Sequence, residues 1–376
     1  MARVTTFLRQ FDWLLLGSLL VLVTIGLALI YSSSIGREGG DLSGFWKQLV
    51  IAGFGLVALL VMSMIDFHTW DGLSRPLYIA MGVALILVLV IGQTVHATRG
   101  WLSIGGFRFQ PVEFAKVVAV LVLASYFARR SRELDRLPYL IQSLLIVVGF
   151  ITLVLMQPDF GSAAVIFAVW VSLLFIIVVR REYLLAMLIL GAGAFLLGWF
   201  FFFKPYQKER LVTFFFPAEK TQSQSYNVRQ AVIAIGAGQL TGRGLGEGSQ
   251  SQLRFLPEAT TDFMFATLGE ELGFTGVAVV FFLLAIMYYR LFWLLGRCQD
   301  GFASFVVLGT TLLVSIEIFV NAGMNTGLFP VVGIPFPFLS AGGSALLAHL
   351  VLFGVVENIA RVQGSTGYQL SSVRAV

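Results

Sequence analysis

Residues 257–289 read PEATTDFMFATLGEELGFTGVAVVFFLLAIMYY, a short polar segment followed by a long apolar run. After Asp262 the only charged residues in this stretch are Glu270 and Glu271. The run is long enough for a transmembrane helix, which needs about 20 apolar residues. Asp262 stands at the start of this helix, where a carboxylate at the edge of hydrocarbon costs free energy. Its position therefore needs a structural or functional reason.

The same apolar character extends over the whole chain of 376 residues, which is 58% hydrophobic and 12% charged, with a mean hydropathy of +0.89. Soluble domains carry about 25% charged residues, so the composition excludes an ordinary soluble protein. The sequence predicts an all-α polytopic membrane protein, with residues 1–376 forming a single integral-membrane domain. Cys298 is the only cysteine, which excludes an internal disulfide. About ten transmembrane helices are predicted, at 12–34, 48–65, 76–93, 112–128, 140–156, 161–179, 184–203, 263–289, 303–326 and 343–360.

The basic residues predict the orientation of these helices. Lys and Arg in short loops favour the cytoplasmic side, and the clusters RRSREL at 129–134 and RREY at 180–183 fall on the same side of the predicted bundle. We therefore expect both termini in the cytoplasm. Residues 204–261 then form one long extracytoplasmic loop, which is exempt from the rule for short loops.

This long loop contains an amphipathic stretch, YNVRQAVIAIGAGQL at 226–240, with Val228, Val232 and Ile235 at helical spacing. Two interpretations stay open: a short helix lying on the membrane surface, or a basic lid over a cavity. The glycine-rich turn TGRGLGEGSQ at 241–250 follows, and its backbone N–H groups are candidate phosphate ligands, although it lacks the P-loop pattern.

Ionisable residues inside predicted helices are functional candidates that need partners. Glu113 and Lys116 lie three residues apart, on one helix face, and are expected to pair. The pair either fixes helix packing or lines a cavity for an anionic headgroup. Asp159, directly after a proline, either caps the next helix or belongs to the site.

Glu317 lies inside another predicted helix, with Asn321 and Asn325 four and eight residues later on the same face. This stripe predicts a hydrogen-bonded contact between helices, with a polar pathway as the alternative. The segment GLFPVVGIPFPFLSAGGSA at 327–345 is rich in Pro and Gly, and irregular backbone at membrane depth must be buried in protein or line a cavity. Because the unusual segments all fall on the outer side, we expect an outward-facing site.

These motifs resemble a known family. Five stretches are similar to the signatures of the SEDS proteins (shape, elongation, division and sporulation): RFQPVEFAK at 108–116, QPDFGSA at 157–163, YQKERL at 206–211, the stretch 244–273 and NAGMNTGLFPVVGIPFPFLSAGGSA at 321–345. The similarity covers nearly the whole chain, in order. Within the family, SQSQLRFLPE at 249–258 and the short N-terminus look more like the elongation-type members than the division-type members.

The resemblance implies a peptidoglycan glycosyltransferase that polymerises lipid II into β-1,4 glycan strands at the outer face of the bacterial inner membrane, releasing undecaprenyl pyrophosphate. It implies a class B penicillin-binding protein as the partner, alongside membrane lipid and without nucleic acid. The family's catalytic aspartate falls on Asp262. Its other functional positions are substrate-binding residues at Arg108, Gln110, Lys116, Gln207 and Arg210, and supporting residues at Glu113 and Asp159.

The chain departs from the family pattern at two positions. Thr260 stands where many members have His, which removes a histidine-assisted proton transfer, and Ala341 stands where the family has Tyr. Two readings from other functional classes compete with a polymerase. A lipid II flippase or transporter would use the intramembrane charges as a coupling path, and a structural scaffold would leave the outer polar residues without a role.

The implied reaction inverts the anomeric carbon, so it needs one general base for the attacking hydroxyl and positive charge for the departing pyrophosphate. Asp262 is the candidate base. Alternatively it holds a divalent cation, Mg²⁺ or Mn²⁺, because a helix N-terminus makes a carboxylate a poorer base and a better metal ligand. A third alternative is structural: Thr260 or Thr261 caps the helix and Asp262 complements its dipole.

The charge pattern generates a topology prediction. Reporters fused after Arg132 and after Arg181 should lie in the cytoplasm, because both follow Arg-rich short loops, and a reporter inserted near Ser223 should lie outside. Protease accessibility or compartment-specific labelling measures each position. A cytoplasmic signal at Ser223 would contradict both the orientation and the outward-facing site.

Overall fold

The computed structural model describes residues 11–35, 41–95, 98–105, 107–133, 136–177, 222–253 and 255–373, together with isolated positions between 182 and 212. The described helices are α1 (Trp13–Ile35), α2 (Ser43–Met64), α3 (Phe67–Ile91), α4 (Pro111–Arg130), α5 (Leu137–Met156), α6 (Phe160–Ile176), α7 (Gln222–Gly238), α8 (Ser249–Gln252), α9 (Met264–Leu295), α10 (Gly301–Asn325) and α11 (Gly343–Val373). A 3₁₀ turn covers Ser131–Glu133, and a π-helical turn covers Gly198–Phe202.

Eight of these helices are long and apolar enough to cross a membrane, which confirms the all-α polytopic membrane fold. A further apolar helix, α6, is shorter, and it occupies the span predicted at 161–179. Of the predicted span 184–203, the structure describes scattered helical positions and the π-helical turn Gly198–Phe202. Two boundaries differ most from the prediction: α11 ends at Val373 instead of residue 360, and α3 begins at Phe67 instead of residue 76. Its first turns are polar, and Asp66 caps them by accepting a hydrogen bond from the His68 N–H at 2.8 Å.

A small β-sheet, which the sequence did not predict, connects α3 to α4. Strands β1 (Gln93–Val95), β2 (Thr98–Ile104) and β3 (Phe107–Phe109) pair antiparallel in that order. Short strands of this kind carry too few residues for a clear alternating pattern. The sheet leads the chain directly into α4.

Helices α4, α11 and α10 form the centre of the bundle. The most apolar stretch of α4 is 83% buried and that of α11 78% buried, against 17% for α3. The peripheral helices present apolar side chains such as Phe54, Ile79 and Leu145 outward, as expected for surfaces that face lipid. Charged groups on α4, α10 and α11 are therefore the ones that must find partners inside protein.

One end of the bundle collects the basic residues, and we call it the basic end. Here Arg290 of α9 contacts Asp12 at the start of α1 through two nitrogens, the shorter contact being 2.7 Å. Arg361 of α11 donates to the Ser63 carbonyl oxygen at 2.6 Å. The first contact joins α9 to the start of α1, and the second joins α11 to α2, at the same end of the bundle.

The opposite end is marked by the contact between Ser32 of α1 and Glu271 of α9, whose oxygens lie 2.6 Å apart. Along both helices about 20 residues separate this contact from the one between Asp12 and Arg290, which is about 30 Å at 1.5 Å per residue. That distance is the thickness of a hydrocarbon core. The α9 backbone departs from helical angles at Gly273 (φ +61°, ψ −163°), so residues 264–272 form a separate helical segment that carries Glu271 and directly follows the Asp262 turn.

Helix α7 confirms the predicted amphipathic helix but corrects its buried face. Ala231 and Ala234 are fully buried, whereas Val232 is 47% exposed and Val228 and Ile235 are half-buried. Small side chains occupy the contact because α7 lies close against the first turns of α9. The cluster they form consists of Ala231, Ala234, Leu256, Ala259, Phe263 and Ala266.

Helix α1 passes very close to the irregular segment between α10 and α11. A Cβ atom added to Gly26 would lie 2.6 Å from the Leu339 carbonyl oxygen and 2.7 Å from the Leu339 Cα. Both are backbone atoms that cannot rotate away, so only glycine fits at this position.

We expect Gly26→Ala to lower the thermal stability of the detergent-solubilised protein, because overpacking of this kind costs about 1–3 kcal/mol. Gly17→Ala is the matched control, since the same helix has nothing within 4 Å of a Cβ at that position. Equal melting temperatures for the two variants would contradict the close approach.

Candidate active site

Asp262 lies in a turn, half-buried, two residues before α9 begins at Met264. The N-cap position is Phe263, which makes no side-chain capping hydrogen bond. The alternative in which Thr260 or Thr261 caps the helix is therefore wrong. The Thr261 hydroxyl instead turns back to Glu258, 2.8 Å from its Oε2.

The backbone of Asp262 is held by α10. The side-chain amides of Asn321 and Asn325, both fully buried, donate to the Asp262 carbonyl oxygen at 3.0 and 2.9 Å. The Asn325 Oδ1 also accepts from the Ala266 N–H at 3.0 Å. A helix start leaves several N–H groups without partners inside the helix, and here one of them is satisfied by a side chain from another helix.

The irregular segment before α11 packs against the Asp262 carboxylate. A Cβ atom added to Gly333 would lie 3.7 Å from Asp262 Oδ2, and the Gly333 φ angle of +73° is one that glycine adopts most easily. The Asn321 amide donates to the neighbouring Ile334 carbonyl oxygen at 2.7 Å. Asp262, Asn321 and this backbone therefore form one contiguous arrangement.

The unusual segments noted in the sequence converge at this end of the bundle. The Gln110 N–H donates to the Ser344 hydroxyl at 2.8 Å, which joins RFQP to the start of α11. Gly161 of QPDFGSA packs so closely on Val332 that an added Cβ would lie 2.5 Å from its carbonyl oxygen. The expectation that these segments share one location is confirmed.

Asp159 caps α6. Its Oδ1 accepts from the Ser162 N–H at 3.0 Å and its Oδ2 from the Ser162 hydroxyl at 2.8 Å. Both carboxylate oxygens thus have partners on the first turn of that helix, which is the capping alternative.

Glu113 and Lys116 form the predicted pair, and the structure adds two further members. Lys116 Nζ lies 2.9 Å from Glu113 Oε2 and 2.5 Å from Glu317 Oε1, and Glu317 Oε2 lies 2.7 Å from His349 Nε2. We call these four side chains the buried charge cluster. Lys116 is 2% exposed and Glu317 fully buried, so the cluster lies inside protein and connects α4, α10 and α11.

The hydrogen bonds of His349 show how the cluster balances its charge. Its Nε2 faces Glu317, and its Nδ1 lies 2.7 Å from the Ala345 carbonyl oxygen, so both ring nitrogens face acceptors. Neutral imidazole has only one N–H, and both nitrogens donate only in the protonated ring. With protonated His349 and Lys116, two cations oppose the two carboxylates. His349 was not predicted as a member of this cluster from the sequence, although an ionisable residue inside an apolar run indicates that it needs a polar partner.

The stripe of Glu317, Asn321 and Asn325 is the predicted contact between helices. Glu317 bonds to α4 and α11, Asn321 to the segment before α11, and Asn325 to the first turn of α9. Both asparagines also bond to the Asp262 carbonyl oxygen. The stripe therefore connects the buried charge cluster to the backbone of Asp262.

Glu270 and Glu271 hold the long loop on α9. The Glu270 carboxylate accepts from the N–H groups of Gln250 and Ser251 at 2.7 and 3.0 Å. The Glu271 carboxylate accepts from the Gln252 side-chain amide at 3.3 Å and also from the Ser32 hydroxyl of α1. The N–H groups of the glycine-rich turn donate to the α9 backbone, for example Arg243 to the Glu270 carbonyl oxygen at 3.0 Å. Because these N–H groups already donate to protein carbonyl oxygens, the structure does not support them as phosphate ligands.

The remaining predicted residues lie elsewhere. Arg108 is exposed on β3, opposite Ser103 in the sheet. Gln207 and Arg210 lie outside the described residues, so their predicted roles stay predictions. Within the described ranges, no three His, Cys, Asp or Glu side chains come together as a possible metal site.

Over residues 12–364 the chain matches the family model of FtsW, RodA and SpoVE, described as "Cell cycle protein". The chain belongs to this family. The match covers the charge cluster, the Asp262 turn and the irregular segment before α11. It confirms the SEDS resemblance, and the chain is a multi-pass membrane protein like its relatives.

Relatives of three kinds are similar to the chain to nearly the same degree. "Stage V sporulation protein E" of Bacillus subtilis is 32% identical over 93% of this chain and 97% of its own length. "Probable peptidoglycan glycosyltransferase FtsW" of Geobacter sp. is 33% identical over 94% of this chain and 98% of its own length. "Peptidoglycan glycosyltransferase MrdB" of Escherichia coli K12 is 33% identical over 91% of this chain and 92% of its own length. Identity therefore does not separate elongation from division.

Two solved structures are similar over nearly the full chain. One belongs to work described as "Structural coordination of polymerization and crosslinking by a peptidoglycan synthase complex", with a TM-score of 0.79 and 27% identity over 94% of this chain and 98% of that chain. The other is the rod shape determining protein RodA of Thermus thermophilus, with a TM-score of 0.69 and 27% identity over 94% of this chain and 97% of that chain.

The charge cluster generates a stability prediction. Lys116→Met should destabilise the protein strongly, because removing one partner of a buried ion pair leaves uncompensated charge and costs about 3–5 kcal/mol. Arg130→Met is the control: it lies on the same helix, and its pair with Glu133 is largely exposed, so little is expected there. Thermal unfolding in detergent measures both. Similar melting temperatures would show that the cluster does not stabilise the fold.

Proposed function

We propose that this protein is a peptidoglycan glycosyltransferase that polymerises lipid II, and that Asp262 is its general base. The names of the FtsW and MrdB relatives support the activity. The observation that carries the proposal is the arrangement at Asp262, a carboxylate at the end of the bundle opposite the basic end, with its backbone carbonyl held by two buried asparagines.

The proposed reaction needs the acceptor hydroxyl of one sugar to attack the anomeric carbon of another, with inversion and loss of undecaprenyl pyrophosphate. A carboxylate takes the proton of the attacking hydroxyl, as in inverting sugar hydrolysis. The pyrophosphate is already a good leaving group, so positive charge can replace a general acid. Arg108, exposed on β3, and Arg210 are assigned to this role, and Gln207 to neutral hydrogen bonds with the substrate, on the sequence resemblance.

Lys116 receives a supporting role instead of a direct contact with substrate. Its ammonium group lies between Glu113 and Glu317 and is buried. A phosphate would have to displace one of these carboxylates to reach it, at the cost of leaving a buried charge without its partner. We assign Lys116 to holding α10, and through Asn321 and Asn325 the backbone of Asp262.

A divalent cation is the alternative role for Asp262. Mg²⁺ is usually held by one or two carboxylates together with waters and substrate phosphates, so the single carboxylate of Asp262 suits a metal that arrives with the pyrophosphate. The base role is preferred because arginines on this side can neutralise the pyrophosphate by themselves.

The proposal includes a location and a partner. The Arg-rich basic end is assigned to the cytoplasm, which places Asp262 at the outer face of the bacterial inner membrane. A class B penicillin-binding protein is the proposed partner, and the similar structure from a peptidoglycan synthase complex supports it. An elongation role in maintaining rod shape is proposed on the SQSQLRFLPE motif at 249–258 alone.

Asp262→Asn tests the proposal in protein purified together with its transpeptidase partner. The change is nearly isosteric and keeps a polar side chain, so expression should be normal. Glycan synthesis from lipid II should fall by about 10²–10⁴-fold, the usual contribution of a positioned acid–base group. Lipid II binding should persist, because the proposed arginine contacts are unchanged.

The matched control is Asp300→Asn, which also changes a carboxylate just before a helix, but at the basic end. Since Asn is an equally good N-cap residue, this variant should polymerise normally. Normal polymerisation by Asp262→Asn would falsify the catalytic role. Loss of lipid II binding together with activity would favour the metal-ligand role, and transbilayer movement of lipid II without strands from the unaltered protein would favour a flippase.

A further inference from the structure

Three successive backbone carbonyl groups precede α9, and each accepts a hydrogen bond from a residue far along the chain. The Thr260 oxygen accepts from the Ala341 N–H at 2.7 Å, and the Thr261 oxygen accepts from the Ser340 hydroxyl at 2.6 Å. The Asp262 oxygen accepts from the amides of Asn321 and Asn325 at 3.0 and 2.9 Å. We call these donors the carbonyl clamp.

The donors of the clamp are held in place by further bonds. The Asn325 amide also donates to the Asn321 side-chain oxygen at 3.2 Å, and the Asn325 oxygen accepts from the Ala266 N–H. Ser340 Oγ accepts from the Phe336 N–H at 2.9 Å while it donates to Thr261. Because each side chain both donates and accepts, rotating any one of them would break two kinds of contact at once.

Stabilising α9 does not require the whole clamp. A helix start leaves N–H groups short of partners. Asn325 accepts from one of them, the Ala266 N–H, which also donates to the Phe263 carbonyl oxygen at 3.0 Å. The other bonds go to carbonyl groups of the turn, outside the helix, at the three residues that lead up to and include Asp262. Their direct effect is to fix the backbone from which the Asp262 side chain projects.

We propose that Asn321, Asn325 and Ser340 are positioning residues that aim the Asp262 carboxylate at the acceptor hydroxyl. This inference rests on the proposed function of Asp262. A general base must lie within hydrogen-bond reach of the proton that it removes, and a misplacement of about 1 Å costs up to about 10²-fold in rate. Three carbonyl groups fixed in succession prevent the turn from rotating about the bonds that would swing this carboxylate.

The inference is tested with Asn325→Ala and Ser340→Ala in protein co-purified with its transpeptidase partner. Both should lower the turnover number for lipid II polymerisation by about 10–100-fold, while the affinity and stoichiometry of labelled lipid II binding stay unchanged. Thr310→Ala is the control, because the buried Thr310 hydroxyl on α10 donates within its own helix, to the Val306 carbonyl oxygen at 2.7 Å. That variant should keep a normal turnover number.

A merely structural role predicts a different result, in which polymerisation and lipid II binding capacity fall together as folded protein is lost. That outcome, or normal turnover in both variants, would overturn the inference. If Asn325→Ala does not fold, Ser340→Ala decides, since it removes one hydroxyl and leaves the asparagines in place. If Asp262→Asn is inactive but the clamp variants are fully active, only the positioning role is refuted. If Asp262→Asn is active, the proposed function itself is refuted.

Discussion

The contact between Lys116 and Glu317 is the constraint on which the centre of this bundle depends. Both side chains are buried, and separating either from its partner would leave a charge in a low-dielectric interior at a cost of several kcal/mol. Because Glu113 and His349 complete the cluster, a relative shift of α4, α10 or α11 would separate buried charges from their partners, and the observed register is favoured. A hydrophobic replacement of all four side chains could fold as well, so the cluster is better explained by the arrangement it specifies than by stability alone.

The charge cluster fixes the position of two asparagines that lie one and two helical turns further along α10. Asn321 and Asn325 follow Glu317 on the same face, and both reach the Asp262 carbonyl oxygen. The side chain proposed to do the chemistry is thus carried on a turn whose position is set by a helix, and the position of that helix is set by buried charges. Rigid support of this kind is what precise placement of a reactive group requires.

The long loop is held by a second pair of carboxylates. Glu270 and Glu271 accept hydrogen bonds from Ser32 and from the N–H groups at the start of α8, all neutral donors. Together with α7 packed along α9, these bonds fix the end of the loop that leads to Asp262. The glycine-rich turn, whose composition suggested a ligand site, serves this docking instead, because a backbone can approach α9 closely where no side chain intervenes.

The sequence by itself determined the membrane class, the positions of nine described apolar helices to within a few residues at most ends, and the pairing of Glu113 with Lys116, and its long motif led to the proposal of Asp262. These follow from local quantities: run length, hydropathy, spacing along one helix and a long motif. Only the tertiary structure decided that Glu317 and His349 complete the charge cluster, that Asn325 caps α9 from another helix, and that alanines form the buried face of α7. Those contacts join residues tens to hundreds of positions apart. Spacing along a helix sets which side chains share a face, but the packing of helices decides what that face meets.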